Sequence, residues 1–261
     1  MKKETLYQPY SLERLFYLVR NRVLDDIGPV LIGSAAVLAL NLLLLISSSR
    51  YNPGAAGSWA MIIAMAGVLL AGNAFSKMHD GKAGTEWILL PASNLEKYSA
   101  ALVMYLLVYP IIASVLAVIE TLIISGFGAM LYGKSLWIYN PLAQAVLRNY
   151  CNYVFFVVLA LAGSARFRKF ALVKTVSIAL GFVFLSSLLL ILGILFATPE
   201  GRQIVLDGTR GYSVQIQRTL ELGKEGTLRI LYKIFTIGTA VFALGYGYAL
   251  VSEKEARDEV Q

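Results

Sequence analysis

Six stretches of this sequence stay apolar over the length that a hydrocarbon layer demands: Gly28 to Ser47, Ala55 to Phe75, Ser99 to Phe127, Leu142 to Ser164, Ala171 to Leu195 and Ile230 to Val251. A bilayer core about 30 Å thick takes roughly 20 residues of helix, and lipid offers no partner to an unpaired backbone group. The sequence therefore predicts an all-α integral membrane protein with six transmembrane helices. Composition agrees: 57% of the 261 residues are hydrophobic, 15% are charged, and the mean hydropathy is +0.66. A soluble globule of this make-up would lack the polar surface to cover itself.

The formal net charge is +7, but the basic residues sit in clusters between the apolar runs and form no continuous basic face. That pattern points to membrane-flanking loops and anionic lipid, and away from nucleic acid. The single cysteine, Cys151, lies in an apolar run, and the single histidine, His79, has no cysteine near it in sequence, so disulfide frameworks and zinc spacings are excluded. No span carries a serine-histidine, paired-aspartate or metal-ligand set, so no catalytic residue is assigned and an enzyme is not expected. The first 26 residues are polar or amphipathic and no cleavage site ends the first apolar run, so the first span is expected to be retained.

Lysines and arginines resist translocation, so their count in the loops orients the chain. With six spans, fourteen fall on the side of the two termini and six on the other, which predicts both termini in the cytoplasm. The organisation that follows is a cytoplasmic amphipathic elbow helix in 1–26, a six-helix membrane domain in 27–251 and a cytoplasmic tail in 252–261. Within the domain, the loop 76–98 lies inside and the loop 198–229 outside. Trp59, Trp137, Tyr51, Tyr132 and Tyr139 fall at the outer span ends, where an interfacial aromatic belt is expected. In the elbow, Ser11 is placed to cap a helix with Leu12, Leu15, Phe16, Val19 and Val23 on one face and Arg14, Arg20 and Arg22 around the rest. Such a helix suits the membrane interface.

One motif misleads. Gly128 to Ser135 satisfies the phosphate-loop pattern G-x-x-x-x-G-K-[ST], with Lys134 in the lysine position. A phosphate loop needs a buried strand before it and a helix after it. Here a span precedes it, the aromatic turn Leu136 to Pro141 follows, and the charge count puts it outside, so nucleotide binding is not expected.

The informative segment is the loop from Phe75 to Tyr98, FSKMHDGKAGTEWILLPASNLEKY. Pro91 blocks continuation of a helix, and Ser93 with Glu96 has capping-box spacing, so one element stops and the third span starts. Punctuation of this kind leaves Trp87, Ile88, Leu89 and Leu90 unexplained. Too short to span, this apolar patch has to be covered by the interface or by a partner.

The "LLPAS" and "EK" of that loop, Leu89, Leu90, Pro91, Ala92, Ser93, Glu96 and Lys97, follow the polar turn "HDGKAGTEW". Here the chain resembles the permease subunits of type-2 ABC exporters, half-transporters of six spans that work with a separate ATP-binding subunit. The hydropathy layout is similar too, with an amphipathic helix ahead of span one and a longer outer segment between spans five and six. The resemblance implies a multi-pass permease of the bacterial cytoplasmic (inner) membrane, paired with a second copy or a homologue and with two ABC ATP-binding subunits. It implies that the loop is the coupling element, with His79, Asp80, Glu86, Trp87, Leu90, Pro91, Ser93, Glu96 and Lys97 as the ATPase-coupling residues. ATP and Mg would be bound by the partner ATPase and no cofactor by this chain. The alternative, from a different class, is a polytopic scaffold or assembly protein with no transported substrate.

Charges inside spans are costly and mark a pathway or a pair. Glu120 in span three and Arg148 in span four fall at similar depth, which predicts an intramembrane salt bridge. Asn41, Asn73, Asn149, Asn152 and Ser125 are expected to hydrogen-bond between helices. Gly67 with Ala71 in span two, and Gly245 with Gly247 in span six, predict close helix approach. Pro110 is expected to kink span three and free backbone groups that neighbouring helices must satisfy.

Overall fold

A computed structural model describes residues 10–47, 56–79, 84, 87, 89, 92–133, 135–168, 170–178, 180–181, 184–185 and 227–258, with backbone alone at 56–57, 227–236 and 254–258. Every regular element among them is helical. The helices are α1 (Leu12–Ser47), α2 (Ala56–Ala71), α3 (Asn94–Val103), α4 (Tyr109–Tyr132), α5 (Gln144–Arg166) and α6 (Thr227–Asp258). A 3-10 turn at Ser76–His79 follows α2, and a π-helical segment at Met104–Val108 joins α3 to α4 without a break. Among the described residues, four helical stretches are long and apolar enough to cross a membrane: Leu12–Ser47, Ser58–His79, Asn94–Tyr132 and Gln144–Arg166. They fall on the first four expected spans. Most of the fifth expected span lies outside the described residues, where 171–178 is helical, and α6 covers the sixth.

The chain divides into two units, Met1–Leu172 with Leu244–Gln261, and Val173–Ala243. In the first unit α2 packs along α5, and α1 lies against α3 and α4. One core cluster gathers Phe75, Met78, Trp87, Tyr98, Tyr105, Tyr109, Tyr153 and Val251, and a second gathers Leu45, Trp59, Ala117, Ile124 and Tyr139.

α1 corrects the expectation of a separate elbow. It is one helix of 36 residues, about 54 Å long, and Pro29 sits inside it without ending it. A helix of that length overreaches a hydrocarbon layer of about 30 Å, so elbow and span are two halves of one rod. Its faces also differ from expectation. Leu12, Phe16, Leu24, Leu31 and Ile32 are exposed, whereas Arg14, Arg22, Asp26, Ser34 and Asn41 are turned at least partly inward. Apolar side chains cost nothing against lipid, so the polar ones are kept for contacts with other helices.

The passage from α3 to α4 shows how Pro110 is accommodated. Proline has no N–H to give to the preceding turn, and the ladder widens just before it: the Tyr109 N–H bonds to the Met104 carbonyl, the π spacing. Both carbonyls left in want of a donor, Tyr105 and Leu106, receive a hydroxyl from α5, from Tyr153 and Tyr150 respectively. Tyr109 in turn donates to the Ile63 carbonyl of α2 at 3.0 Å. Gly67 makes room for these rings, since a Cβ there would come within 2.6 Å of Tyr109 and 2.7 Å of Tyr153. Gly247 likewise lies against Tyr98, whereas Gly245 faces open space.

Several of the remaining polar residues bond within their own helical stretches. Asn41, Asn73 and Ser125 donate to carbonyls of their own helices, at Val37, Leu69 and Leu122. Trp59 and Tyr139 are 3% and 2% exposed and belong to the second core cluster, so they are no part of a lipid-facing belt. The phosphate-loop lookalike is a helix end: Gly128 is buried within α4, and Gly133 at φ 61° terminates it in the left-handed conformation that suits glycine. The chain then returns alongside α4, where the Tyr139 N–H bonds to Thr121 Oγ1 at 3.1 Å.

Candidate functional site

The connection between α2 and α3 is built around one carboxylate. Ser93 occupies the N-cap of α3, its hydroxyl accepts the Glu96 N–H, and Glu96 Oε2 accepts the Ser93 N–H at 2.7 Å, which completes the capping box. Glu96 Oε1 serves a second helix, accepting the Ser11 N–H at 2.6 Å and Arg14 Nε at 3.2 Å, with the other guanidinium nitrogen at 3.1 Å. The starts of α1 and α3 therefore share one acceptor. Each contributes N–H groups with no intrahelical partner and the positive end of a helix dipole. The Glu96 side chain is 0% exposed and that of Arg14 31%.

Glu96 belongs to the polar first turn of a helical run of 39 residues, about 58 Å, which projects beyond a hydrocarbon layer of about 30 Å. Burial pushes its pKa up, but the Ser11 and Ser93 amides and the Arg14 guanidinium outweigh burial and hold the carboxyl below the usual 4.5.

Further ties hold the same connection. Lys97 is 2% exposed and its ammonium sits 4.5 Å from the centre of the Trp87 ring, which is itself buried. His79 Nε2 lies 3.1 Å from the Ser164 carbonyl near the end of α5. Lys77 pairs with Asp25 of α1 at 2.7 Å, an exposed contact. Arg22 of α1 donates to the Ala74 carbonyl at 3.1 Å and lies 5.2 Å from the Phe75 ring centre, and Asp26 accepts the Tyr105 hydroxyl at 2.7 Å.

These positions change what the expected coupling residues can do. Trp87, Glu96 and Lys97 are buried within the unit, so they cannot themselves form a docking surface; they position the connection. Ser93 acts as a cap and His79 as a tie to α5. Of the apolar patch, Leu89 is 75% exposed. Asp80, Glu86, Leu90 and Pro91 lie outside the described residues.

The expected Glu120–Arg148 pair does not form. Glu120 faces α1, where Ser34 Oγ donates to its Oε1, and among the described residues its Oε2 has no hydrogen-bond partner. Arg148 is exposed near the start of α5. The chain has already returned to the level of Thr121 at Tyr139, and Tyr150, two residues after Arg148, bonds the Leu106 carbonyl, so Arg148 and Glu120 stand at different depths.

Sequence reasoning missed the tyrosines. Tyr105, Tyr109, Tyr150 and Tyr153 donate between helices, and a signal for two of them was present: a proline inside a span needs hydroxyl donors from a neighbour, and Tyr150 and Tyr153 stand together on the next span. Asp25 and Asp26, which meet Lys77 and Tyr105, carry no local signal in the sequence. Comparison with known protein families, curated proteins and solved structures finds no match.

Proposed function

We propose that this chain is the membrane-spanning permease subunit of an ATP-driven exporter of the type-2 ABC kind. In this reading it has six spans and cytoplasmic termini and sits in the bacterial cytoplasmic membrane. Two copies, or one with a homologue, form the path, and two separate ATP-binding subunits bind ATP and Mg.

The observation that carries the reading is the way the connection between α2 and α3 is fastened. It is joined to α1 through Glu96, Lys77 and Arg22 and to α5 through His79, and it continues directly into α3. A displacement imposed on this connection is passed to several spans at once, which is what a coupling element has to do. Leu89 supplies the exposed apolar contact, and the buried residues keep it in place.

The test is copurification after mild detergent extraction. A stoichiometric ATPase of the ABC type is expected with the wild-type chain, and Leu89→Glu is expected to lose it while leaving the permease monodisperse. Absence of any ATPase from the wild-type preparation overturns the reading and favours the scaffold alternative.

A further inference from the structure

Three cationic side chains from three elements line one cavity of about 560 Å3: Arg22 of α1, Lys77 of the turn after α2, and Lys97 of α3. Asp25 and Asp26 line it too, so the described wall carries one net positive charge. The charges are unevenly matched. Lys77 pairs with Asp25 at 2.7 Å and Asp26 accepts the Tyr105 hydroxyl, whereas Arg22 forms no ion pair among the described residues. Arg22 gives an N–H to the Ala74 carbonyl and packs over the Phe75 ring, 5.2 Å from its centre. A guanidinium has five N–H groups in a planar fork, so donors remain for an anion.

The cavity is open: Asn21, Asp25, Asn73 and Lys77 are exposed and rim it, and Trp87 and Tyr105 are buried and floor it. Its depth is a second observation. The wall takes α1 from Leu18 to Asp26, just ahead of the apolar run that begins at Gly28, and the end of α2 with the turn after it, from Leu70 to Lys77. It takes α3 from Lys97, in its first turn. Apolar runs begin and end here, which puts the cavity at the headgroup layer flanking the hydrocarbon core.

From the charge and the depth we infer that this cavity binds the phosphodiester of a phospholipid headgroup, with Arg22 as its principal donor and the acyl chains leaving past Leu24 and Leu70. A guanidinium fork matches paired phosphate oxygens, and a single negative charge neutralises the wall. Headgroup depth is where a membrane concentrates phosphodiesters. The volume falls within the range of ligand pockets, about 300–1,000 Å3, and exceeds what a bare ion needs. Leu24, which is 62% exposed, continues the wall toward lipid. The inference rests on the spans alone and stands independently of the permease reading.

The probes are dioctanoylphosphatidylglycerol, dioctanoylglycerol, which lacks the phosphate, and inorganic phosphate, measured by equilibrium binding to the full chain in maltoside micelles. Wild type is expected to bind the phospholipid in preference to dioctanoylglycerol. Arg22→Gln is expected to weaken the phospholipid by about tenfold and leave dioctanoylglycerol unchanged. Arg20→Gln, at an exposed position of the same helix outside the cavity wall, is expected to change neither. Equal binding of the two lipids by wild type overturns the inference. So does an equal loss in both arginine variants, the mark of diffuse attraction to a basic surface. Asn73→Trp, which fills the mouth, is expected to exclude the phospholipid, and it decides if Arg22→Gln does not fold: undiminished phospholipid binding there overturns the inference. Inorganic phosphate separates the sources. Binding weaker than that of the phospholipid assigns the anion to lipid, and equal binding overturns that assignment in favour of free phosphate.

Discussion

Two buried glutamates in this protein have nearly the same exposure and opposite circumstances. Glu96 is surrounded by donors from two helix starts and a guanidinium, and both of its oxygens are engaged. Glu120 receives one hydroxyl on Oε1, and its buried Oε2 has no hydrogen-bond partner among the described residues. Burial alone is therefore a poor guide to what an acidic residue does. What distinguishes them is whether the fold itself supplies the donors: Glu96 sits where helix starts leave N–H groups unpaired, and Glu120 sits mid-helix, where every nearby N–H is committed to the ladder. The first arrangement fastens the fold, and the second leaves one carboxyl oxygen buried without a hydrogen bond among the described residues.

The largest effect that can break this comparison is expected at Glu96. Glu96→Ala strands Arg14 and the Ser11 and Ser93 amides together, and the loss should be about 3 kcal/mol, the lower end of what breaking a buried pair costs because Arg14 is partly exposed. Unfolding by denaturant in micelles measures it. Acid provides a second reading with a definite sign. The folded-state pKa lies below 4.5, so the contribution is present above that pH and is lost as pH falls through the lowered folded value. Stability of the wild type should decline below about pH 4.5, and that of Glu96→Gln should decline less. Parallel acid curves would show that Glu96 is no fastening.

A smaller effect tests whether a polar group deep in the spans can be as well satisfied as Glu96. Tyr150→Phe removes the donor from the Leu106 carbonyl and should cost about 1 kcal/mol, the range of inter-helix hydrogen bonds in membranes. The reason for that bond is Pro110, so Pro110→Ala, which restores an N–H to the ladder, should cut the cost to less than half. An equal cost in both backgrounds would mean that the tyrosine serves packing and not the proline.

Legibility in the sequence follows the same division. The four described spans could be read because apolar runs longer than about 20 residues have one physical explanation, and the Ser93–Glu96 cap could be read because its partners are three residues apart. Ser11 and Arg14 on the same carboxylate could not, since they lie 85 and 82 residues away from it and nothing local marks them. Pro110 announced that donors were needed but not which side chains would supply them. The Glu120–Arg148 expectation failed because the segment after α4 returns alongside it before α5 starts, which sets Arg148 away from the level of Glu120, and α1 presents Ser34 to the carboxylate. The amphipathic pattern of the elbow suits a helix in the membrane interface, whereas Arg14, Arg22 and Asp26 make contacts with other helices that the pattern along the chain does not reveal.

The smallest effect is expected at Glu120 itself, and it bears most directly on the comparison. Glu120→Gln keeps an oxygen to accept from Ser34 and removes a charge that the described residues do not compensate, while putting an amide nitrogen where Oε2 has no hydrogen-bond partner. The gain from losing a lone intramembrane charge and the cost of unpaired amide protons oppose each other, so the change in stability should stay within about 1 kcal/mol of zero. The same unfolding measurement used for Glu96→Gln checks it, without any ligand present. A loss as large as that of Glu96→Gln would mean that the fold depends on the Glu120 carboxylate after all, and the distinction between a fastened glutamate and a vacant one would fall.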